Sequence, residues 1–375
     1  MIKRPAHLEN LQPYKAGKTV EAVTRELGLT KVVKLASNEN PLGISPLAAQ
    51  AIAKTINESN RYADPSGFRL TKKLSERLGA APEQIILGAG VDSLLGYILS
   101  AFSEPGEELL TSEGTFTGIY VHANKLNRTI VKTPLTNYAY DLDSLLEQIG
   151  DKTKIIYIAN PNNPTGTIVT RDQLVSFLDQ VPSHILVILD EAYFSYAREY
   201  DEYPDGLEYD YANLIVTRTF SKDFGLAGLR IGYAVAAPDL IADLMRIRLP
   251  FEPSWTAQEA ALAALDDADF LERTITQNHR SLKLIAEQAD KLGINHPRSY
   301  GNFIMYAFDS APFAASFTQE CLKLGLILRH VESFGVPGGV RINSGTDQET
   351  TFALKVVEEV FPLVERSLAQ STPSR

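Results

Sequence analysis

From Gln84 to Ala236 the chain repeats one unit: a short strand apolar along its whole length, a polar or glycine-bearing loop, then an amphipathic helix. The strands are predicted at Gln84–Leu87, Glu108–Thr111, Thr129–Thr133, Lys154–Ala159, Ile185–Leu189, Asn213–Thr219 and Arg230–Ala236. The helices between them fall at Asp92–Phe102, Thr115–Leu126, Leu142–Ile149 and Arg171–Val181. A strand with no polar face has to be covered on both sides, and helices that alternate with such strands supply the cover. The pattern therefore predicts an α/β unit built on a mostly parallel central sheet.

The flanks read differently. Pro13, Tyr14 and Gly17 break structure, a helix runs from Thr19 to Leu27 and stops at Gly28, and Ser37–Gly43 is a loop. Helices follow at Pro46–Asn57 and Phe68–Leu78, separated by the loop Arg61–Gly67. Beyond Pro250 comes a helical run, Ala257–Leu292, interrupted near Asp266-Asp267. A strand (Phe303–Phe308), a helix (Ala314–Leu324), short strands near Leu326 and Val340 and a last helix (Gln348–Leu368) complete an α+β unit. At 375 residues a large and a smaller domain are expected. The larger is placed at 36–250, and the smaller combines 1–35 with 251–375.

A formal charge of −10 with no Lys/Arg cluster argues against a nucleic-acid partner. Cys321 is the only cysteine, which rules out an intrachain disulfide and fits a reducing compartment. The first ten residues have no apolar signal core, and the most apolar stretch, Ile185–Leu189, is strand-sized. A cytoplasmic protein without membrane contact is the expectation.

Ligands of open parallel sheets bind beyond the carboxyl ends of the strands. Four polar groups are predicted at that edge: Gly88-Ala-Gly90, Asn160-Pro-Asn-Asn-Pro-Thr-Gly166, Asp190 and Thr219-Phe-Ser-Lys222. The glycine turn lacks the third glycine of a dinucleotide fingerprint. It suits a single phosphate at a helix N-terminus, or an ordinary strand-to-helix turn. Asp190, after five apolar residues, needs a cationic or hydrogen-bonding partner more than it needs a turn to cap. A pyridinium N–H would serve, and Tyr193 is three residues away. Lys222, beside hydroxyls and eight residues before Arg230, can form a Schiff base while its neighbours hold a phosphate. The prolines make the Asn160 loop rigid, able to fix an amide in place. Arg341, in a short strand, serves equally a substrate carboxylate or a surface ion pair.

Taken together, Asn160-Pro-Asn-Asn-Pro-Thr-Gly, Asp190-Glu-Ala-Tyr, Thr219-Phe-Ser-Lys-x-Phe-Gly-Leu-Ala-Gly-Leu-Arg-x-Gly-Tyr and Arg341-Ile-Asn-x-Gly-Thr resemble the fold-type-I pyridoxal-phosphate aminotransferases. With Gln12-Pro-Tyr-x-x-Gly-Lys and Leu35-Ala-Ser-Asn-Glu-Asn-Pro-Leu-Gly, the resemblance narrows to the histidinol-phosphate aminotransferase family and runs from about residue 8 to 365. It implies the type I transferase fold, pyridoxal 5'-phosphate as cofactor and Lys222 as the Schiff-base lysine. Asp190 would pair with the ring nitrogen, Tyr193 and Asn163 with the ring oxygen, and Phe116 would stack on the ring. Thr219, Ser221, Arg230 and the backbone at Gly90 and Val91 would hold the phosphate. Tyr62 would reach the phosphate of a neighbouring subunit, which implies a homodimer with shared sites. Arg341 would take a carboxylate, Arg329 a distal phosphate, and Tyr14 would also contact substrate. No metal is implied.

The chain departs from the family pattern near the site. Ala63 stands where proline is usual and Pro65 follows the aspartate; Val91-Asp-Ser replaces Ser-Asp-Glu; Gly114 replaces a proline; and Asp223 follows Lys222 where alanine is common. The activity implied is a ping-pong exchange of an amino group between a donor, histidinol phosphate or an aromatic amino acid, and 2-oxoglutarate. A decarboxylase of the threonine-phosphate type shares the cofactor and would release carbon dioxide instead. A non-catalytic cofactor-binding regulator would need a DNA-binding extension, for which residues 1–35 are too short and the charge is wrong.

Overall fold

The computed structural model describes residues 2–9, 11 and 18–371. Its centre is a seven-stranded sheet ordered Ile85–Gly88, Gly232–Val235, Leu214–Thr219, Leu186–Asp190, Thr153–Ala159, Glu108–Ser112 and Thr129–Thr133. Neighbours pair in parallel except Gly232–Val235, which runs antiparallel between its two partners.

Continuous apolar strands divide their side chains between two cores by simple alternation. Leu109, Ile155, Tyr157 and Ile188 meet helices Val91–Phe102 and Thr117–Lys125 on one face. Leu110, Ile156, Val187 and Leu189 meet helices Leu142–Glu147 and Arg171–Leu178 on the other. This is the two-sided cover predicted from the run of apolar strands. At about 25 cal/mol per Å² of apolar surface, each buried Ile or Leu in these layers contributes roughly 2 kcal/mol before entropy.

The helix ends follow local chemistry. Thr19 Oγ1 accepts from the Ala22 N–H at 3.1 Å to start helix Val20–Leu27, and Gly28 ends it at φ 65°. Helix Phe68–Leu78 lies between Gly67 and Gly79, both left-handed. The interruption predicted at Asp266-Asp267 is a cap: Asp267 accepts from the Phe270 N–H at 3.2 Å and opens helix Ala268–Leu292. A hairpin of Leu135–Thr136 with Ala139–Tyr140 and a helix at Pro238–Ile247 join the elements the sequence pattern marked.

A second, antiparallel sheet orders Phe303–Ala307, Gly339–Asn343 and Arg329–His330. Val33–Lys34 pairs in parallel with Leu326–Ile327, and Val33 and Leu35 enter the core that surrounds this sheet. Helix Trp255–Ala264, which follows the predicted boundary at Pro250, packs with Ile85, Leu87, Phe220 and Val235 of the large sheet's core. The change of core falls inside helix Ala268–Leu292. Its Leu271 and Ile275 touch Tyr193 and Tyr196, whereas Leu282, Ile285 and Ala289 lie in the second core.

Candidate active site

The registers bring the predicted loops together. Gly232 pairs with both Gly88 and Thr219, so the glycine turn, the Thr219–Lys222 turn and Arg230 share one corner of the large sheet. Ala159 pairs with Asp190, which sets the Asn160 loop beside the acid. Asn160, Val91, Phe116, Asn163, Tyr193 and Arg230 are positioned by these elements, and all but Asn160 line one cavity with Asp190, Thr219, Ser221 and Lys222.

Asp190 is 5% exposed at the end of its strand. Its carboxylate accepts from the Tyr157 hydroxyl at 2.7 Å and the Ala192 N–H at 3.2 Å. Burial nevertheless pushes it up to about 6. Behind it, Glu191 binds the guanidinium of Arg218 through Nε at 2.8 Å and Nη2 at 2.6 Å, and Arg218 also meets Asp205 at 2.6 Å. This buried charge network pins the backbone on which Asp190 sits.

The Lys222 amine donates to the Ser37 carbonyl at 3.4 Å. Burial first, then the positive Arg341 and Arg230, bring it down to about 8, against the pull of Glu39 and Asp190. Around it lies a cradle of donors. Thr219 Oγ1 donates to Ser221 Oγ at 3.0 Å, and Arg230 donates to the same hydroxyl at 3.4 Å. Arg230 holds φ 53° and Gly90 φ 80°, at the start of helix Val91–Phe102. A Cβ on Gly90 would come within 2.6 Å of the Arg230 guanidinium, so only glycine lets the two approach. A helix N-terminus, two hydroxyls and a guanidinium arranged in this way can hold an anion.

Tyr193 Oη accepts from Asn38 Nδ2 at 2.7 Å, which leaves the tyrosine proton to donate. Asn163 Oδ1 accepts from Arg341, which leaves its own NH2 group to donate. Arg341 is buried rather than on the surface. It donates to the Ala36 carbonyl at 2.9 Å and stands 5.3 Å and 5.6 Å from the ring centres of Phe303 and Phe334. Arg329 is its cross-strand neighbour. Both arginines line an outer cavity of about 510 Å³ that shares Asp92, Phe116, Asn163, Tyr193, Lys222 and Arg230 with the inner one.

Tyr62 is expected at a neighbouring subunit's site rather than in this cavity. Tyr62 is 82% exposed and stacks on Phe251, with ring centres 4.3 Å apart. Tyr14 lies outside the described residues. Among the described residues no cluster of His, Cys, Asp and Glu could hold a metal, and no helix is long and apolar enough to cross a membrane.

Residues 30–357 match the family model for class I and II aminotransferases. The histidinol-phosphate aminotransferase 2 of Carboxydothermus hydrogenoformans is 40% identical over 94% of this chain and 99% of its own. The corresponding enzyme of Caldicellulosiruptor saccharolyticus is 39% identical over 94% and 99%. A crystal structure of histidinol-phosphate aminotransferase from Sinorhizobium meliloti, in complex with pyridoxal-5'-phosphate, covers 98% of this chain and 99% of its own at TM-score 0.89 and 29% identity. At 20% identity, an aspartate aminotransferase of Thermus thermophilus shares the fold, with TM-score 0.82 over 96% of this chain and 100% of its own. The chain belongs to the class I and II aminotransferases and, within them, to the histidinol-phosphate aminotransferase family.

Proposed function

We propose that the chain is a pyridoxal-phosphate-dependent transaminase that takes the amino group of histidinol phosphate and hands it to a 2-oxo acid such as 2-oxoglutarate. One observation carries the reading. A lysine amine held near 8 and a buried carboxylate line the same cavity, next to an anion cradle that only glycine at position 90 allows. These features fit a phosphorylated pyridine aldehyde: an anion for Gly90, Val91, Thr219, Ser221 and Arg230, a ring nitrogen for Asp190, and an amine to condense with its aldehyde.

When bound, pyridoxal phosphate supplies a carbonyl to accept the amino group and a protonated ring to draw electrons from the substrate Cα. Asp190 keeps the proton on the ring nitrogen, and Tyr157 keeps Asp190 oriented. Tyr193 and Asn163, each with a proton left to donate, hold the ring oxygen, and Phe116 covers the ring. Lys222 Nζ moves the proton from the substrate Cα. An amine near 8 can both release and accept a proton close to neutral pH, which suits that task. Arg341 grips the carboxylate of the oxo acid, and Arg329 beside it takes the distal phosphate of the donor.

The exposed Tyr62, Phe68, Leu249 and Phe251 support a homodimer in which Tyr62 completes the partner's phosphate site. The two cores support a division into a large unit holding the cofactor and a smaller one formed by the N-terminal segment with the C-terminal α+β elements. The test is a half-reaction. Histidinol phosphate added to the cofactor-loaded protein converts its visible absorption to that of the aminated cofactor, and 2-oxoglutarate restores it. An unchanged spectrum with histidinol phosphate, alongside conversion by an aromatic amino acid, would replace the proposed donor.

A further inference from the structure

We propose that Asp223 and Ser195 form a latch that fixes the turn bearing Lys222 against the turn bearing Tyr193, which makes Asp223 a positioning residue for both. The inference rests on the assignment of Lys222 as the amine that holds the cofactor. Lys222 and Asp223 are consecutive in the turn after strand Leu214–Thr219, and Tyr193 and Ser195 sit where strand Leu186–Asp190 gives way to helix Phe194–Ala197. The Ser195 hydroxyl donates to Asp223 Oδ2. Asn40 Nδ2 donates to the Asp223 carbonyl at 2.9 Å and to Thr274 Oγ1 at 3.1 Å. That brings in a third segment, the loop whose Ser37 carbonyl accepts from Lys222. One residue therefore ties the lysine turn, the tyrosine turn and the cavity-lining loop together.

The latch accounts for an acid in an unfavourable place. Asp223 is 5% exposed, and its side-chain bond is to a neutral hydroxyl. Burial pushes the carboxyl up to about 6, opposed by the Ser195 hydroxyl, the backbone N–H groups of Phe224 and Asp223 and the positive Arg198. These partners do not offset the burial, so the carboxylate lowers stability at neutral pH, and alanine would avoid that. What the acid adds is a strong, directional bond between the turns that carry Lys222 and Tyr193.

The test uses the cofactor-loaded enzyme with Asp223→Ala, Ser195→Ala, the double variant and Asp223→Asn. Three readouts apply: the pH midpoint of the bound cofactor's absorption, kcat against KM, and the melting temperature. Each single alanine variant is expected to lower kcat about 10-fold, as a small misplacement does, and to shift the absorption midpoint in a common direction. KM for the oxo acid, which Arg341 grips, stays unchanged. The double variant is expected to be no worse than either single one, and Asp223→Asn, whose amide oxygen still accepts, recovers both readouts toward the parent. A fall in melting temperature with kcat and the midpoint unmoved would overturn the proposal, as would effects that add in the double variant. Lys222→Ala serves as a separate check. Cofactor that still becomes covalently attached to that variant on borohydride reduction sinks the assignment of the lysine, whatever the latch variants do.

Discussion

At the level of single residues, the site works by placing charges where water would otherwise hold them. Asp190 and Lys222 are each displaced toward their neutral form, and the displacement has a sign that stability measurements can read. The folded value of Asp190, about 6, lies above the ordinary 3.8. The folded chain therefore binds that proton more tightly, adding stability below pH about 4 and losing it as the pH rises through 6. Lys222 lies at about 8, below its ordinary 10.5, so its contribution is present above 10.5 and lost as the pH falls through 8. At pH 7 both groups stand charged in the cofactor-free protein at a cost. Asp190→Asn and Lys222→Met are each expected to raise the melting temperature of that form at pH 7, by a free energy on the order of 2–3 kcal/mol at most. In the proposed mechanism both should depress turnover by ~100-fold or more, since the first removes the charge meant for the ring nitrogen and the second the amine that moves the proton. Thermal melts of the cofactor-free variants across pH 4 to 10 check the first statement, and a drop in melting temperature at pH 7 would contradict it. Tyr157→Phe removes a donor to Asp190 and is expected to move the acid limb of the kcat profile upward by up to ~1 unit. That Lys222, Asp190 and Tyr193 meet at one cavity was legible in the sequence because each ends or follows a strand whose direction is readable. Tyr157 was not, because a tyrosine inside Ile155–Ala159 looks like any other core residue. Asn38 and Arg218 were also missed, since their partners lie far along the chain at Tyr193, Asn343 and Glu191.

At the level of elements, the turns do the positioning, and two glycines decide how closely they approach. Gly225, at φ 70°, lies where a Cβ would come within 2.0 Å of the Gly43 carbonyl oxygen. That contact brings the Lys222 turn onto the loop that supplies the Ser37 carbonyl. Gly225→Ala meets a backbone atom that cannot rotate away and a left-handed conformation besides. It is expected to destabilise the fold by about 3 kcal/mol or more, readable in denaturant melts. Gly90→Ala displaces a flexible guanidinium instead, but at φ 80° it too is strained, so it is expected to destabilise the cofactor-free protein by about 1–3 kcal/mol and, in addition, to weaken cofactor binding by ~10-fold or more. Equilibrium titration of the cofactor separates the two outcomes. The regular elements were largely readable for local reasons: Thr19 and Gly28 bracket one helix, and Phe68–Leu78 coincides with its predicted span. The hairpin at Leu135–Tyr140 escaped because its strands are two residues long and its turn places Tyr138 at φ 64°, a conformation tyrosine rarely signals. Helix Trp255–Ala264 was recognised as a helix but followed the predicted boundary into the smaller unit. Sequence order does not reveal that its alanine face fits against the large sheet's core.

At the level of the whole molecule, the proposed homodimer can be tested through one exposed aromatic patch. Tyr62 sits in the open on Phe251, and Phe68 and Leu249 lie exposed in the adjoining segments. In the proposed homodimer these exposed apolar side chains would supply part of the contact. If Tyr62 then serves the partner's phosphate cradle, two inactive variants should repair each other. A Lys222→Ala chain keeps Tyr62, and a Tyr62→Ala chain keeps Lys222, so a hybrid dimer holds one site with both residues and one with neither. Random reassembly makes half of the dimers hybrid, so an equal mixture is expected to reach about one quarter of the parent activity when the residual activity of the Tyr62 variant is small. The measurement is turnover after the two chains are unfolded and refolded together, compared with the same chains refolded apart. Activity no greater than the sum of the separate samples would mean that Tyr62 acts in its own chain or not at all. It would also return the exposed ring, stacked on Phe251, to the role of a surface aromatic.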